Sequence, residues 1–280
     1  MTSFDMGSIT YSIFDPTGNV TALVETEVPV REQPAVAASV QKLHRDVEQV
    51  GFVRFGLSEV YLRMAGGEFC GNATMSAAAL HLIRTGRHSS TGRTAVTVCV
   101  EGTERPLKVS LKRDAEDIFE ASLMIPCNMK TGREQLVYGD SSTDPLCVRM
   151  DGINHLILDD RSDLYELIND QDAACNAVRS FSEQLGGGAL GLMFLEKDNS
   201  SESDRYLMVP LVFVPGSDTL FWEHSCASGT AACGYALAKE KGASVDLAFD
   251  EPGGRMRVCC DPVTDELTLY GHTRLIDELP

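Results

Sequence analysis

Apolar residues stand at every second position in several short segments of the chain, and this alternation predicts half-buried β-strands. Helical patterns at residues 34–46 and 164–185, and two Ala-rich runs after Cys70 and Cys226, separate these segments. Ala-rich runs favour helices because alanine has the highest helix propensity. The alternating positions are Val96, Val98 and Val100, then Leu107, Val109 and Leu111, and later Met256, Val258 and Cys260. Strands and helices thus alternate in both halves, which is typical of an α/β fold.

The chain contains one block of sequence twice. The first copy reads Gly67-Glu68-Phe69-Cys70-Gly71-Asn72-Ala73-Thr74, and the second reads Trp222-Glu223-His224-Ser225-Cys226-Ala227-Ser228-Gly229-Thr230. In each copy a Thr stands four residues after the Cys, an Ala-rich run follows, and a Gly stands sixteen residues after the Cys. We interpret the blocks as versions of one structural unit, because this shared spacing indicates duplication.

The duplication extends over the rest of each half. The apolar segment that begins Gly18-Asn19-Val20 has a counterpart in the segment that begins Gly152-Ile153-Asn154. We therefore predict two similar α/β domains, residues 1–133 and 134–271, with residues 272–280 as a candidate return to the first domain.

The composition indicates a folded globular protein that does not bind polyanions. Of the 280 residues, 43% are hydrophobic and 23% are charged, and 41 Asp and Glu against 24 Lys and Arg give a net charge of −17. Because a phosphate polyanion is bound by clustered Lys and Arg, nucleic acid and anionic membrane surfaces are excluded as general partners. No apolar run approaches the roughly 20 residues that a membrane span needs.

Cysteine usage points to a reducing compartment. The start, Met1-Thr2-Ser3-Phe4-Asp5, has neither the basic stretch nor the apolar core of a secretory signal, and the nine cysteines include no C-x-x-C pair. We therefore expect a cytoplasmic protein whose cysteines remain thiols.

Cys70 and Cys226 both stand where a loop becomes a helix. A helix start offers unpaired backbone N–H groups and a positive dipole end, which bind anions and lower the pKa of a Cys from about 8.5 to roughly 3.5 to 7.5. Two such starts at one cleft would hold the α-carboxylate of an amino acid and place a thiol on each side of its α-carbon. One thiolate would remove the α-proton while the other thiol returned a proton to the opposite face, without a cofactor.

Other interpretations of the two blocks have less support in the sequence. Either cysteine alone could be a buried structural residue, but a matched pair at duplicated helix starts favours chemistry. His224-Ser225-Cys226 offers two zinc ligands without a second cluster, so no metal site is predicted. The motifs of Ser hydrolases and phosphate-binding loops are absent. We assign the other cysteines to packing: Cys99, Cys127, Cys147, Cys175, Cys233, Cys259 and Cys260.

Three motifs resemble those of the diaminopimelate epimerase and proline racemase superfamily: Gly18-Asn19, Cys70-Gly71-Asn72, and Cys226-Ala227-Ser228-Gly229-Thr230. The resemblance covers nearly the whole chain. It implies a cofactor-independent enzyme of two pseudo-symmetric α/β domains, each a sheet wrapped around a central helix. It also implies an active site in the interdomain cleft, with Cys70 and Cys226 as the catalytic pair.

Within that superfamily the chain looks most like the histidine racemases that supply D-histidine for opine-type metallophores. The strings that carry this likeness are Gly67-Glu68-Phe69-Cys70-Gly71-Asn72-Ala73-Thr74-Met75-Ser76, Glu48-Gln49-Val50-Gly51-Phe52 and Trp222-Glu223-His224-Ser225-Cys226. Diaminopimelate epimerases usually have Cys-Gly-Asn-Gly-x-Arg at the first site and Glu-Arg ahead of the second. Here Ala73, Met75 and His224 stand instead, so a distal carboxylate has no evident arginine partner.

The resemblance implies a set of substrate-binding residues. Asn19, Asn72 and Asn154 are expected to contact the substrate, because an amide both donates and accepts hydrogen bonds. Glu48 and Glu223 are candidates for binding the substrate ammonium group or a basic side chain, with Gln49 as the alternative to Glu48. The backbone is expected to cradle the carboxylate at Gly71, Asn72, Ser228, Gly229 and Thr230.

We therefore expect a PLP-independent amino-acid racemase that interconverts L- and D-histidine. Its partner is a small-molecule amino acid, and a homodimer is a candidate oligomeric state. One alternative is an epimerase or racemase of another basic or diamino acid, such as diaminopimelate. A second alternative is a non-catalytic amino-acid or metal-binding protein, which would bind its ligand without exchanging the α-proton.

Overall fold

The computed structural model describes residues 9–87, 92–126, 129–200, 204–264 and 266–279. The chain forms two compact units. Unit 1 comprises Met1–Met124 and Tyr270–Pro280, and unit 2 comprises Ile125–Leu269. In the described ranges, no helix is both long and apolar enough to cross a membrane.

Unit 1 is a mixed sheet with helices α1 (Gln33–Leu43) and α2 (Gly71–Thr85). Its strands lie side by side in chain order. The last strand of the chain, β18 (Glu266–Leu279), brings residues 274–279 alongside β1 in antiparallel pairing. The strands are β1 (Tyr11–Asp15), β2 (Thr21–Val24), β3 (Gln49–Phe55), β4 (Glu59–Met64), β5 (Thr94–Val100), β6 (Leu107–Ala115) and β7 (Ile118–Pro126).

Unit 2 is a second mixed sheet, with helices α3 (Gln171–Gln184) and α4 (Ala227–Lys241). Its spatial order is β17-β16-β14-β13-β12-β11-β8, with β15 on β14 and a separate β9–β10 pair. The strands are β8 (Lys130–Arg133), β9 (Leu136–Tyr138), β10 (Ser141–Thr143), β11 (Leu146–Met150), β12 (Ile153–Asp159), β13 (Leu190–Lys197), β14 (Arg205–Val214), β15 (Thr219–Trp222), β16 (Val245–Glu251) and β17 (Gly254–Asp261).

The two units share one pattern of strand pairing. In unit 1, β2 runs parallel to β3, β3 antiparallel to β4, β4 parallel to β5, and β5 antiparallel to β6. In unit 2, β12, β13, β14, β16 and β17 repeat this sequence of parallel and antiparallel pairs. Each parallel pair needs a crossover, and α1, α2, α3 and α4 supply them. The helices that follow Cys70 and Cys226 thus occupy the same place in both topologies.

Helices α2 and α4 are buried along most of their length. Helix α2 contacts strands β2 to β6, and α4 contacts β11, β12, β13, β16 and β17. Small side chains permit this close packing: a Cβ added to Gly234 of α4 would lie 2.3 Å from Cγ1 of Val258 on β17. The Ala-rich composition of the two runs therefore suits both helix formation and close contact with the sheets.

The second predicted helix is shorter in the structure than in the sequence pattern. Residues Tyr165–Asn169 form a separate 3-10 turn, and α3 begins only at Gln171. Asp170 causes the break, because its backbone is extended and its side chain caps α3 by accepting a hydrogen bond from the N–H of Ala173 at 3.0 Å. Aspartate is a favoured residue at this capping position.

Candidate functional site

Cys70 is the N-terminal cap of α2 in unit 1. Its backbone is extended (φ −131°, ψ 111°), and its sulfur accepts a hydrogen bond from the N–H of Ala73 at 3.4 Å. The Thr74 hydroxyl and N–H donate to the Cys70 carbonyl oxygen at 2.7 and 3.0 Å. Gly71 and Asn72 begin the first turn and are buried, while Cys70 itself is half-buried. The thiol therefore stands at the positive end of the helix dipole.

Cys226 has the same place on α4 in unit 2. Its backbone is extended (φ −129°, ψ 96°), and its sulfur accepts a hydrogen bond from the N–H of Gly229 at 3.4 Å. The Ser228 hydroxyl oxygen lies 3.5 Å from the same sulfur. The N–H and hydroxyl of Thr230 donate to the Cys226 carbonyl oxygen at 2.8 and 3.0 Å. Unlike Cys70, this cysteine is fully buried.

These contacts divide the predicted carboxylate cradle into two sets of N–H groups. The N–H groups of Gly229 and Thr230 already donate to atoms of Cys226. Those of Gly71 and Ser228 come earlier in the first turns, where a helix supplies no internal acceptor. The earlier set is therefore better suited to an external carboxylate, while the Gly229 N–H stabilises the sulfur.

The structure brings together two of the predicted substrate contacts of unit 1. Asn19 Nδ2 donates a hydrogen bond to Glu48 Oε2 at 2.8 Å, and both residues are buried. Gln49 is the next residue and begins β3, where it pairs with Thr21 of β2. The parallel pairing of β2 and β3 therefore places the Asn19 side chain beside the Glu48 carboxylate.

The other two predicted contacts lie in unit 2. Asn154 is half-buried near the start of β12, where its N–H donates to the Ala189 carbonyl oxygen. Glu223 lies between β15 and α4, is buried, and donates its N–H to the Pro210 carbonyl oxygen. Its negative charge acts on the Cys226 thiol.

The acidity expected for a thiol at a helix start does not hold for Cys226. Burial raises the pKa of this thiol well above its ordinary value, and the negative charges of Glu223 and Glu251 raise it further. Hydrogen bonds from Ser228 and Gly229 lower the pKa but do not offset burial. Desolvation therefore outweighs the helix dipole here and favours the protonated form of Cys226.

Sequence analysis missed two buried acids beside the cysteines. Glu251, the last residue of β16, accepts a hydrogen bond from the Cys226 N–H at 2.6 Å, and its Oε1 lies 2.6 Å from the Thr230 hydroxyl oxygen. Glu68, two residues before Cys70, is also buried, and burial raises the pKa of both carboxyls. Along β16 every second residue is buried, and Glu251 follows Leu247 and Phe249 on the buried face. A glutamate at an alternating position that is otherwise apolar was the sequence signal that could have identified it.

A second missed group packs behind Cys226. A Cβ added to Gly229 would lie 2.1 Å from Met193 Sδ and 3.2 Å from Cys226 Sγ. One added to Gly191 would lie 2.5 Å from His155 Nδ1 and 2.7 Å from Met193 Cε. His155 is fully buried, and its ring nitrogens have no hydrogen-bond partner in the described part of the chain. The two glycines thus make room for the Met193 and His155 side chains.

His224 and Cys226 do not share a ligand position. His224 is exposed whereas Cys226 is buried. Among the residues that the structure describes, no group of three or more His, Cys, Asp and Glu side chains could hold a metal ion. The described cysteines are thiols without disulfide bonds, and Cys127 lies outside the described residues.

Solved structures show which fold this is. A hydroxyproline epimerase from Agrobacterium vitis, with bound trans-4-hydroxy-L-proline, superposes with a TM-score of 0.65 at 12% identity, over 96% of this chain and 91% of that one. A phenazine biosynthesis protein of the PhzF family from Enterococcus faecalis gives a TM-score of 0.58 at 14% identity, over 96% and 97%. The α/β fold predicted from the sequence is therefore one that epimerases and PhzF-type proteins share.

Sequence relatives show the family. A histidine racemase of Fusobacterium nucleatum subsp. nucleatum is 30% identical over 271 residues, which are 94% of this chain and 93% of that protein. A histidine racemase of Staphylococcus aureus is 25% identical over 260 residues, 89% of this chain and 88% of that protein. The family model described as the histidine racemase CntK N-terminal domain matches residues 8–273. The chain therefore belongs to the histidine racemase family and is an amino-acid isomerase.

Proposed function

We propose that this protein interconverts L- and D-histidine without a cofactor, with Cys70 and Cys226 as the two acid/base groups. The observation that carries the proposal is the identical position of the two thiols. Each caps a buried helix at the same point of a repeated topology and accepts a hydrogen bond from the N–H three residues later. Two equivalent acid/base groups are what inversion at an α-carbon requires.

The reaction needs one thiolate and one thiol at a time. The thiolate removes the α-proton from one face of the substrate, and the thiol on the other face returns a proton. In the reverse direction the two cysteines exchange roles. The N–H groups of Ala73 and Gly229 stabilise whichever sulfur carries the negative charge, because hydrogen bonds to an anion are stronger than those to a neutral group. The N–H groups of Gly71 and Ser228 hold the substrate carboxylate.

The proposal includes the finer architecture implied by the sequence. The two domains, 1–133 and 134–271, would each have a sheet around its cysteine helix, as in diaminopimelate epimerase. The many strands that α2 and α4 contact within their own units support the central place of these helices.

Acidic and amide side chains would bind the substrate and select histidine. Glu48, supported by Asn19, would bind the substrate ammonium group or imidazole, with Gln49 as the alternative contact. A buried carboxylate stabilises a cationic partner strongly because little water screens the charge. Glu223 would act from the second unit, and Asn72 and Asn154 would donate or accept the remaining hydrogen bonds.

The cellular setting is also part of the proposal. A cytoplasmic location is supported by the many cysteines that remain thiols. The proposal also includes a homodimer and, from the resemblance to histidine racemases, a role in metallophore biosynthesis. Size-exclusion chromatography with light scattering tests the dimer.

The test follows α-proton exchange by NMR in D2O, with reductant and no added PLP. L-Histidine and LL-diaminopimelate are supplied separately, and chiral chromatography detects D-histidine. Exchange and D-histidine formation with histidine alone would support the proposal. Exchange with diaminopimelate alone would retain the chemistry and contradict the substrate. Histidine binding without exchange would instead identify a binding protein.

A further inference from the structure

The carboxyl group of Glu251 supports the backbone of Cys226. Oε2 accepts a hydrogen bond from the Cys226 N–H, and Oε1 lies 2.6 Å from the Thr230 hydroxyl oxygen. The same hydroxyl oxygen lies 3.0 Å from the Cys226 carbonyl oxygen. Glu251 is therefore joined twice to the residue that carries the proposed catalytic thiol, directly and through Thr230.

The hydrogen bonds of the Thr230 hydroxyl indicate whether the Glu251 carboxyl group is protonated. The Thr230 hydroxyl has one proton but contacts two oxygens, the Glu251 carboxyl and the Cys226 carbonyl. An ionised carboxylate only accepts, so the hydroxyl could then donate fully to only one of them. If Oε1 carries a proton, Glu251 donates to Thr230, and Thr230 donates to the Cys226 carbonyl. Both contacts are then complete hydrogen bonds.

Unit 1 has no carboxyl group at the corresponding place. Strands β5 and β16 both have seven residues and the same partners in the shared pairing pattern, and their last residues are Val100 and Glu251. Both of these residues are buried. In unit 1 the Thr74 hydroxyl donates to the Cys70 carbonyl at 2.7 Å, with a valine at the end of β5. An acid at this strand end is therefore a difference between the two cysteine sites, and the buried acid of unit 1, Glu68, lies instead in the loop before Cys70.

Within the described residues, no Lys, Arg or His side chain forms a salt bridge with Glu251. Helix α4 contributes the thiols of Cys226 and Cys233, whose pKa values Glu251 raises, and the preceding loop contributes Glu223. Strands β17 and β14 contribute sulfur atoms, with Met256 Sδ 3.8 Å from the Thr230 hydroxyl and Met208 Sδ 3.7 Å from Cys233 Sγ. Arg205 and Arg255 both form salt bridges with Asp250, which lies on the opposite face of β16.

We propose that Glu251 is a positioning residue that must hold a proton for Cys226 to become a thiolate, through a carboxyl group that the corresponding strand end of unit 1 lacks. The inference rests on the proposed function, in which Cys226 takes part as a base in one direction. Two buried acids at one helix start resist double ionisation, so loss of the Glu251 proton disfavours loss of the thiol proton. In agreement, burial raises the pKa of Glu251 to about 8 despite the hydrogen bond from the Cys226 N–H and the contact with the Thr230 hydroxyl.

Glu251→Gln tests this inference. Its amide can accept from the Cys226 N–H and donate to Thr230, which copies the protonated acid but does not ionise. In wild type labelled with ¹³C at the glutamate carboxyl carbons, one signal should titrate near pH 8 and be absent from the variant. A signal for Glu251 that titrates below about pH 6 would overturn the inference, because an ordinary Glu titrates near 4.3.

The activity readout is the pH profile of α-proton exchange. Wild type should lose activity as Glu251 ionises above about pH 8. At such pH values Glu251→Gln should be at least about tenfold more active than wild type, which is the effect of one pKa unit. Glu240→Gln, at an exposed position on α4, is the matched control and should follow wild type. The same alkaline loss in wild type and Glu251→Gln would overturn the inference.

Two further measurements separate the possible failures. Glu251→Val copies Val100 of unit 1 and should also remove the alkaline loss, which covers the case that the Gln variant does not fold. If wild type exchanges no substrate proton, the proposed function fails. The ¹³Cβ shift of Cys226 at pH 9 then decides the present inference: more thiolate in Glu251→Gln supports it, and equal shifts overturn it, with Cys70 as the internal control.

Discussion

Cys70 and Cys226 cap their helices in the same way, because each sulfur accepts a hydrogen bond at 3.4 Å from the backbone N–H three residues later. The two helices also end alike, with Gly86 and Gly242 both in the left-handed region at φ 63°. Their surroundings differ, since Cys226 is fully buried and Cys70 is half-buried. The two thiols are therefore comparable in position, while burial raises the pKa of Cys226 above its ordinary value.

Replacing either cysteine by serine should abolish racemisation while leaving the fold intact. A serine hydroxyl is a strong helix cap, so the helix start is retained. It cannot serve as a base near neutral pH, and loss of one acid/base group costs about 10² to 10⁴-fold in rate. Chiral chromatography measures the rate and circular dichroism measures the melting temperature.

Cys175→Ser is the matched control, because Cys175 lies half-buried within the body of α3. It should keep the wild-type rate. Substantial racemisation by Cys70→Ser or Cys226→Ser would contradict the two-thiol mechanism.

Gly229→Ala should lower the unfolding free energy of the protein more than Ala73→Gly, the substitution at the corresponding position of unit 1. The new methyl group would lie 2.1 Å from Met193 Sδ, and Met193 is itself confined by Gly191. Overpacking of this kind costs about 1–3 kcal/mol of unfolding free energy. The opposite change, Ala to Gly in a helix, costs roughly 0.5–1 kcal/mol. Urea unfolding of both variants measures these differences.

The cause can be checked with a second substitution. Adding Met193→Ala to Gly229→Ala removes the clashing sulfur, so the two changes together should cost less than the sum of their separate effects. Strictly additive effects would show that the methyl group acts elsewhere.

Local signals made much of the cysteine helices predictable. Ala-rich runs, a capping residue and a terminal glycine act within a few residues of each other, so α2 and α4 could be placed before any tertiary contact was known. The α/β class followed from alternating strands and helices. The roles given to Asn72, Asn154 and Glu223, and the domain boundaries, stay predictions.

Features that depend on distant segments were not predictable. Glu251 reaches Cys226 only because β16 packs against α4, although the two residues are far apart in sequence. The lowered pKa expected for Cys226 was wrong for the same reason, since the degree of burial that raises the pKa is set by the whole unit and not by the helix start. The local break at Asp170 was readable in principle as a capping signal inside a longer helical pattern.

Glu48→Gln should raise KM for histidine more than it lowers kcat. The substitution keeps an oxygen that accepts the hydrogen bond from Asn19 Nδ2 and removes the negative charge. A hydrogen bond to a charged group contributes about 1.5–3 kcal/mol, which corresponds to an increase in KM of roughly tenfold or more. Steady-state kinetics measure both constants. Glu27→Gln, at an exposed position, is the control, and an unchanged KM in Glu48→Gln would transfer the role to Gln49.

His155 should limit the stability of the protein in acid. Burial lowers the pKa of its ring from 6.5 to about 3. Between pH 6.5 and about 3 the unfolded chain therefore binds a proton that the folded protein does not, and stability falls as the pH falls. The slope approaches about 1.4 kcal/mol per pH unit, the free energy of one pKa unit.

His155→Leu removes this titration and also the buried ring nitrogens that lack hydrogen-bond partners in the described part of the chain. The unfolding free energy of the variant relative to wild type should therefore increase steadily from pH 6.5 to pH 4, as measured by urea unfolding at each pH. His272→Gln changes an exposed histidine and should track wild type. A constant difference between His155→Leu and wild type over this range would mean that the ring is protonated in the folded protein, and that water or a charged group reaches the space behind Met193.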